Sequence, residues 1–478
     1  MDRSAVVSNM LWRYAERFGA QLIAFVVTVI LGRILVPEDY GLIALVTVII
    51  AVLNVFVDSG LNTALIQKKD ADDTDFTSVF CFNVAVCLAL YIAIFLAAPS
   101  IAGFYGQAQL VPIVRVLGVT LVFSGVRGIQ EAFIARNMLF KRYFLSTLSG
   151  TFVSGVFGIG LALGGFGPWA LVVQQVASAA ISTTVLWFTV GWRPEGSFSS
   201  IRLRSLLGYS WKILAASLVS AVFDNLRQFI IGKRYTLSDL GFYTKGEQFP
   251  NVLVVNINTA VNGVIFPMFS SIQDDVRELR HAARKAVKMS AYLIAPLCAG
   301  LAATAPQLVQ LLLTEKWMPC VPYLCIFCAA YFFLPLSGIN QNLVKAMGDS
   351  GLFLKLEIAK KLIGIALVLA TMRVGVWAMC LSYLGFMMTS YLIDTMPCRR
   401  LIGYGFASQL RDMLPSIAIA LVMGAVVRMV PAAGLPLLPT LLLQIAVGML
   451  VYACASALLR FEGFAFLVDF IRNGLTRS

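Results

Sequence analysis

The sequence predicts an all-α polytopic membrane protein with about fourteen transmembrane helices, and three observations carry that reading. Of 478 residues 59% are hydrophobic and only 13% charged, against roughly 25% charged in soluble domains. Charge-free runs exceed the ~20 apolar residues that a helix needs to cross the hydrocarbon core. Between Arg142 and Arg193 there is no Asp, Glu, Lys, Arg or His, which leaves room for two crossings joined at Gly164-Gly165-Phe166-Gly167-Pro168. Segments 76–114, 317–344 and 429–459 are likewise uncharged. Finally, these runs are continuous, whereas a transmembrane β-barrel would alternate polar and apolar residues in segments of about ten.

Apolar windows bounded by charge and by Gly/Pro punctuation place the helices near 18–35, 42–60, 79–98, 112–134, 146–164, 168–190, 210–230, 249–272, 289–313, 320–344, 357–373, 376–395, 413–430 and 436–458. No loop is long enough for a separate soluble domain. The N-terminus, Met1 to Arg17, is charged and lacks the short apolar core and small-residue cleavage site of a signal peptide, so it is expected to stay on the mature protein.

A net charge of +13 raises nucleic acid or acidic lipid as partners, but the positions of the positive charges favour a membrane topology signal instead. If the N-terminus is cytoplasmic, 27 of the 37 Lys and Arg residues fall in cytoplasmic segments, among them Arg136, Lys141 and Arg142, Arg193, Arg202 and Arg204, the run Arg277 to Lys288, and Lys355, Lys360 and Lys361. Eight fall outside, and Arg127 and Arg227 lie within helices. The bias of basic residues toward cytoplasmic loops then puts both termini in the cytoplasm. The nine cysteines sit mostly in apolar segments, where a thiol acts as a small hydrophobe. Cys320, Cys325 and Cys328 lack a nearby fourth ligand, and no metal site is expected.

The two halves repeat. ILGRILVPEDYG at 30–41 aligns without a gap on IIGKRYTLSDLG at 230–241, pairing Gly32 with Gly232, Asp39 with Asp239 and Gly41 with Gly241. The same offset pairs Asp58 with Asn258 and Asn62 with Asn262. Six helices separate the copies, so both enter the membrane in the same direction. A parallel repeat of this kind places the substrate site between the halves.

Candidate site residues come from the cost of burying an ionisable group in a membrane, roughly 2.5–3.5 kcal/mol on insertion scales, so that such groups face a cavity or a partner. Asn54, Asp58 and Asn62 recur every four residues and would share one face of the second helix. Asn251, Asn258 and Asn262 do the same in the eighth. These stripes either line a water-filled cleft or hydrogen-bond one helix to another. Arg127 and Glu131, four apart, and Asp224 and Arg227, three apart, either pair within their helices or present an arginine fork to phosphate oxygens. Asn340-Gln341-Asn342 with Lys345 ends the tenth helix and could meet a headgroup. The acidic string Asp70 to Asp75 contains a DxD spacing but no catalytic domain around it, and reads as a solvated loop. Gly155, Gly158, Gly160 and Gly164 lie in an apolar helix, not after a strand, and point to close helix packing instead of dinucleotide binding.

WRYAERFGAQ (12–21), GRILVPEDYGLIAL (32–45), DSGLNTALIQ (58–67), DNLRQFIIGKRYTLSDLGFYTKGEQFP (224–250) and NQNLVKAMGDS (340–350) together resemble the Wzx-like polysaccharide flippases of the multidrug/oligosaccharidyl-lipid/polysaccharide flippase superfamily. The resemblance covers nearly the whole chain. It implies two six-helix lobes, 1–200 and 201–395, around a central V-shaped cleft lined by helices one, two, seven and eight, with two further helices and a cytoplasmic tail in 396–478. It also implies a bacterial inner-membrane protein that is not an enzyme, and an undecaprenyl-pyrophosphate-linked repeat unit as substrate, flipped by alternating access for exopolysaccharide or lipopolysaccharide synthesis. No cofactor is implied; several members couple to protons or sodium. The expected partners are the lipid-linked oligosaccharide, membrane lipids, a polysaccharide polymerase and a chain-length regulator, with no nucleic acid. Carried onto this sequence, the cleft points to Asn54, Asp58, Asn62, Asp224, Arg227, Asn258 and Asn262, with Arg127 a fainter candidate. Two other readings compete. A multidrug or toxic-compound exporter of the same superfamily would want an acidic cleft, against the arginines here. An integral-membrane polymerase would want a large outer loop and acid–base residues that the apolar helices lack.

Overall fold

The structure is a computed structural model that describes residues 3–57, 60–68, 70–430, 434–459, 461 and 463–464, with side chains described for all of these except 3–18, 63, 67, 209 and 350. The described residues form helices and their connections, and pack as two compact units, Met1–Gly241 and Phe242–Ser478.

The first unit holds α1 (Arg3–Ile34), α2 (Pro37–Val57), α3 (Leu61–Gln67), α4 (Asp73–Tyr105), α5 (Leu110–Asn137), α6 (Phe140–Leu163), α7 (Trp169–Val190), α8 (Ser200–Arg234) and the start of α9 (Leu237–Ser271). The second holds the rest of α9, then α10 (Val276–Leu313), a 3-10 turn (Glu315–Cys320), α11 (Val321–Tyr331), α12 (Phe333–Ala346), α13 (Ser350–Thr371), α14 (Val376–Ile402), α15 (Phe406–Met429) and α16 (Leu437–Leu458). Among the described residues, twelve helical segments are long and apolar enough to cross a membrane, and a shorter apolar stretch, Gly19–Ile34, adds to them. The chain is a multi-pass α-helical membrane protein.

Its surface says the same. In α16 the positions Thr440, Gln444, Gly448, Tyr452 and Ser456, four residues apart, are buried, while Leu442, Leu443, Ile445, Met449 and Leu450 are exposed. Small and polar residues inside with bulky apolar ones outside is the pattern of a helix packed in lipid, where close approach and interhelical hydrogen bonds replace the hydrophobic drive. Gln444 donates to the Val427 carbonyl at 3.2 Å, and the Tyr452 hydroxyl to the Tyr292 carbonyl at 2.8 Å.

Several boundaries differ from the sequence expectation. The helix expected at 42–60 starts at Pro37, since Pro fits the first helical position and Glu38 and Asp39 suit the positive helix start, and it is described as far as Val57. Gly60 then adopts a left-handed backbone, φ 76°, and opens α3 as a separate helix. The helix expected at 320–344 is two, α11 and α12, with Pro335 in the first turn of α12. α8, assigned from sequence to the second lobe, belongs to the first unit, where it packs on α2, α3 and α4. The glycines of α6 divide: Gly155 packs on Val27 and Gly158 on Gln174, whereas Gly160 faces open space.

Candidate functional site

At one end of the first unit an apolar cluster ties five helices together. Leu61 and Leu65 of α3, Phe76 and Val79 of α4, Ile129 of α5, Leu186 of α7 and Leu203 of α8 are all buried around Trp192, whose ring lies 6.0 Å from Phe76 and 5.8 Å from Phe80. Charge closes over it. Asp75 is fully buried and takes Lys68 at 2.5 Å, and Arg202 of α8 bonds Asp72. Asp72 caps α4, accepting from the Asp75 backbone N–H at 3.0 Å, while the Asp75 carboxylate returns to the Asp72 N–H. The acidic string is therefore not a solvated loop throughout: Asp72 is exposed, but Asp75 sits at the third helical position and is spent on a cap and an ion pair. The Arg202 hydrogen bond holds the Asp72 carboxyl below its usual range. Arg136 donates to the Leu65 and Lys68 carbonyls at 2.9 and 2.7 Å, closing the C-terminus of α3.

Of the sequence candidates in this unit, Asn54 lies half-buried on α2 and Asn62 half-buried on α3. Asp58 lies outside the described residues. The expected face of Asn54, Asp58 and Asn62 is therefore described only at its two ends, with the left-handed Gly60 opening α3 before Asn62. On α8, Asp224 is exposed and Arg227 buried. On α5, Arg127 Nε meets Glu131 at 2.5 Å, and its Nη2 donates to the Tyr143 hydroxyl at 3.1 Å. The four-residue spacing thus closes as an internal pair, joined by a neighbouring phenol.

In the second unit the asparagine stripe of α9 is one face of a continuous helix, and its amides are used between helices. Asn251 donates to the Tyr331 hydroxyl at 2.8 Å, which donates on to Glu247 at 3.1 Å. Asn262 donates to Asn258 at 2.9 Å and accepts from Asn342 of α12 at 2.8 Å. Gly338 makes this possible: a Cβ there would stand 2.8 Å from the Asn262 amide oxygen.

One constellation escaped the sequence reading. Lys360, expected in a cytoplasmic segment, is buried midway along α13 and donates to Asp394 of α14 at 2.9 Å, with Glu357 as its second partner. Gln341 donates to the same carboxylate at 3.1 Å. Asp394 was visible as the one carboxylate of an apolar helix. The double lysine Lys360-Lys361 masked the pairing by counting toward a cytoplasmic segment.

The sequence model of a family described as polysaccharide biosynthesis protein matches residues 30–322. The chain belongs to that family. Among relatives of this polysaccharide biosynthesis protein, the succinoglycan biosynthesis transport protein ExoT of Rhizobium meliloti (strain 1021) is 24% identical over 72% of this chain and 71% of its own. The lipopolysaccharide biosynthesis protein WzxC of Escherichia coli (strain K12) is 22% identical over 74% of this chain and 73% of its own. The fold is similar to that of the lipid II flippase MurJ in an inward closed conformation, with a TM-score of 0.77 and 14% identity over 97% of this chain and 100% of that one. It is also similar to an inward-facing multidrug resistance MATE family transporter of the MOP superfamily, with a TM-score of 0.63 and 13% identity over 80% and 94%. This polysaccharide biosynthesis protein therefore shares the fold of a transporter superfamily; these relatives and neighbours carry no enzyme's name.

Proposed function

We propose that the chain is a flippase-type transporter that moves undecaprenyl-pyrophosphate-linked oligosaccharide repeat units from the cytoplasmic to the periplasmic leaflet of a bacterial inner membrane by alternating access. Both termini lie in the cytoplasm, the cycle is coupled to protons or sodium, and a polysaccharide polymerase and chain-length regulator take the product. The match of residues 30–322 to the polysaccharide biosynthesis family carries this reading, and relatives named for succinoglycan transport and lipopolysaccharide biosynthesis support it. The same match weighs against drug export, for which the MATE likeness offers only a shared fold. Buried Arg227 suits the pyrophosphate, because a guanidinium fork matches two phosphate oxygens.

A strain lacking the gene tests it. Lipid-linked units are still made, since synthesis lies upstream, but their sugars stay shielded from membrane-impermeant enzymes added on the periplasmic side, and polymer output falls. Sugars exposed at the parental level, with no redundant transporter present, overturn the proposal.

A further inference from the structure

The start of α4, the end of α5, the start of α6 and the segment after α7 enclose a cavity of about 630 Å³, within the ~300–1,000 Å³ range of small-ligand sites. All four helices are apolar enough to span a membrane, so the cavity opens where they leave it. Asp73, Arg142, Arg193 and Glu195 line it together with Phe133, Leu139 and Trp192. Trp192 is buried, Phe133, Leu139, Arg142 and Arg193 are half-buried, and Asp73 and Glu195 are exposed. The cavity is thus apolar and basic at depth and acidic at its rim.

Each arginine is anchored through one nitrogen. Arg142 Nη1 donates to the carbonyl of Val190, the last residue of α7, at 2.6 Å. Arg193 Nη1 donates to the Trp192 carbonyl at 2.8 Å, with its guanidinium 4.6 Å from the centre of the Trp187 ring. Gly191, left-handed at φ 78°, turns the chain between those two carbonyls and so brings both arginines to one place. The remaining N–H groups of both forks are left for a ligand, and among the described residues neither fork meets a carboxylate. The carboxylates are gathered by Gly196, whose N–H donates to Thr77 at 3.2 Å and where a Cβ would stand 2.6 Å from the Asp73 carbonyl oxygen, which carries Glu195 to the start of α4. Among the described residues neither carboxylate meets a basic group. The other charged groups at this end are engaged or stand outside the lining. Lys68 and Arg202 hold Asp75 and Asp72, Arg136 holds the carbonyls that end α3, and exposed Asp70, Lys141 and Arg204 do not line the cavity.

Two guanidinium forks call for an anion, and phosphate oxygens match their geometry. Two carboxylates at the rim call for a cation beside it. Phosphoethanolamine carries both, with two carbons between phosphate and ammonium. We infer that the cavity binds the headgroup of phosphatidylethanolamine, its phosphate on Arg142 and Arg193 and its ammonium on Asp73 and Glu195. The surface of α6 favours a lipid over a soluble zwitterion. Leu145, Phe152 and Val156 follow Arg142 within about 80° of its face at ~100° per residue, and they are 45%, 58% and 59% exposed. That apolar stripe runs about 21 Å at ~1.5 Å per residue, enough for an acyl chain to lie along one leaflet, half of a ~30 Å hydrocarbon core. The site belongs to the first unit alone and uses neither Arg227 nor the identity of the transported substrate.

Lipid binding to the purified full-length protein in detergent, followed by native mass spectrometry, tests the site with phosphatidylethanolamine, phosphatidylglycerol and phosphatidylcholine of identical acyl chains. Phosphatidylethanolamine is expected to bind tightest, because phosphatidylglycerol brings no cation and the quaternary ammonium of phosphatidylcholine has no N–H for the carboxylates. Replacing both arginines, Arg142→Gln with Arg193→Gln, should weaken it about tenfold or more, as loss of charge-assisted bonds does. Asp73→Asn with Glu195→Gln should abolish the preference over phosphatidylglycerol. Both carboxylates are exposed, so this second variant keeps its fold even if loss of the arginine anchors unfolds the first. Soluble phosphoethanolamine, lacking the chains, should compete only weakly. Failure of the parent to prefer phosphatidylethanolamine, a preference unchanged in the carboxylate variant, or competition by soluble phosphoethanolamine equal to that of the lipid overturns the inference. None of these outcomes bears on the flippase reading, and failure of the deletion-strain test leaves the lipid site standing.

Discussion

Gly41 and Gly241 make reciprocal contacts: a Cβ on Gly41 would occupy the place of the Leu237 carbonyl, and one on Gly241 the place of the Pro37 carbonyl. Pro37 and Leu237 open α2 and α9, so each copy of the sequence repeat packs its glycine on the other copy's helix start. The junctions match in detail. Asp39 accepts from the Val36 N–H and Asp239 from the Thr236 N–H, each at 3.2 Å, and Ser238 bonds Glu38 across the contact.

Because the obstructing atoms are backbone, a methyl group cannot be accommodated by a rotamer change. Gly41→Ala and Gly241→Ala are each expected to destabilise the detergent-solubilised protein by about 1–3 kcal/mol, as overpacking does. Gly160→Ala, which meets open space, should leave the thermal midpoint unchanged or raise it slightly. Equal midpoints for all three variants would contradict the reciprocal packing.

How much of this was legible follows from what each signal measures. Apolar run length reports the helices, and the repeat is readable because Gly32, Asp39 and Gly41 recur without a gap as Gly232, Asp239 and Gly241. The helix break at Gly60 was illegible, since four-residue spacing looks the same whether or not the helix continues. The pairing of Lys360 was illegible for a related reason: Lys360 and Lys361 count together toward a cytoplasmic segment, and the partner, Asp394, lies on the next helix. Arg127 and Glu131 were readable as a pair because both partners lie on one helix; Asn262 and Asn342 were not, because eighty residues separate them.

Orientation is tested by fusion. The clustering of basic residues in alternate loops predicts that a cytoplasm-active reporter works after residue 200 and a periplasm-active one after residue 166. Reversed activities at both points would invert the topology.

The cap of α4 gives a pH dependence. Hydrogen bonding from Arg202, and then from the Asp75 N–H, lowers the Asp72 pKa from 3.8, so the carboxylate is favoured in the folded state. Its stabilising contribution is complete above the unfolded value and is lost as pH falls through the lowered one. Asp72→Asn keeps a capping side chain but removes the charge. The variant should therefore melt lower than the parent at neutral pH, with the gap shrinking in high salt and closing once the parent carboxyl protonates. A gap independent of pH would refute the charge contribution.

The bond between Asn262 and Asn342 should show as coupling. Interhelical hydrogen bonds within membranes average about 0.6 kcal/mol in double-mutant cycles. Asn262→Ala and Asn342→Ala are each expected to lower stability, and the double variant should lose less than the two separate losses combined. Strict additivity would show that the amides do not work together.

The arginines of α5 and α8 are expected to part company in a transport assay. Arg127 is engaged by Glu131 and Tyr143 within the first unit, so an internal role is expected for it. Removing either member of the pair leaves the other charge uncompensated, and Arg127→Leu or Glu131→Leu alone should reduce the amount of folded protein in the membrane. The double variant removes both charges together, which restores folding without a desolvation penalty, and polymer output should recover with it. Arg227 is buried on α8, and the proposed flippase function pairs it with the pyrophosphate. Arg227→Ala should cost a charge-assisted bond of roughly 1.5–3 kcal/mol, weakening headgroup binding about ten- to hundredfold, and Arg227→Lys should rescue only part of it, since lysine lacks the planar fork. Quantifying polymer per molecule of membrane-inserted protein separates the two effects, because folding losses cancel in that ratio. Full output per molecule from Arg227→Ala would remove it from the substrate path, and a lasting defect in the doubly neutral Arg127 and Glu131 variant would place Arg127 on that path instead.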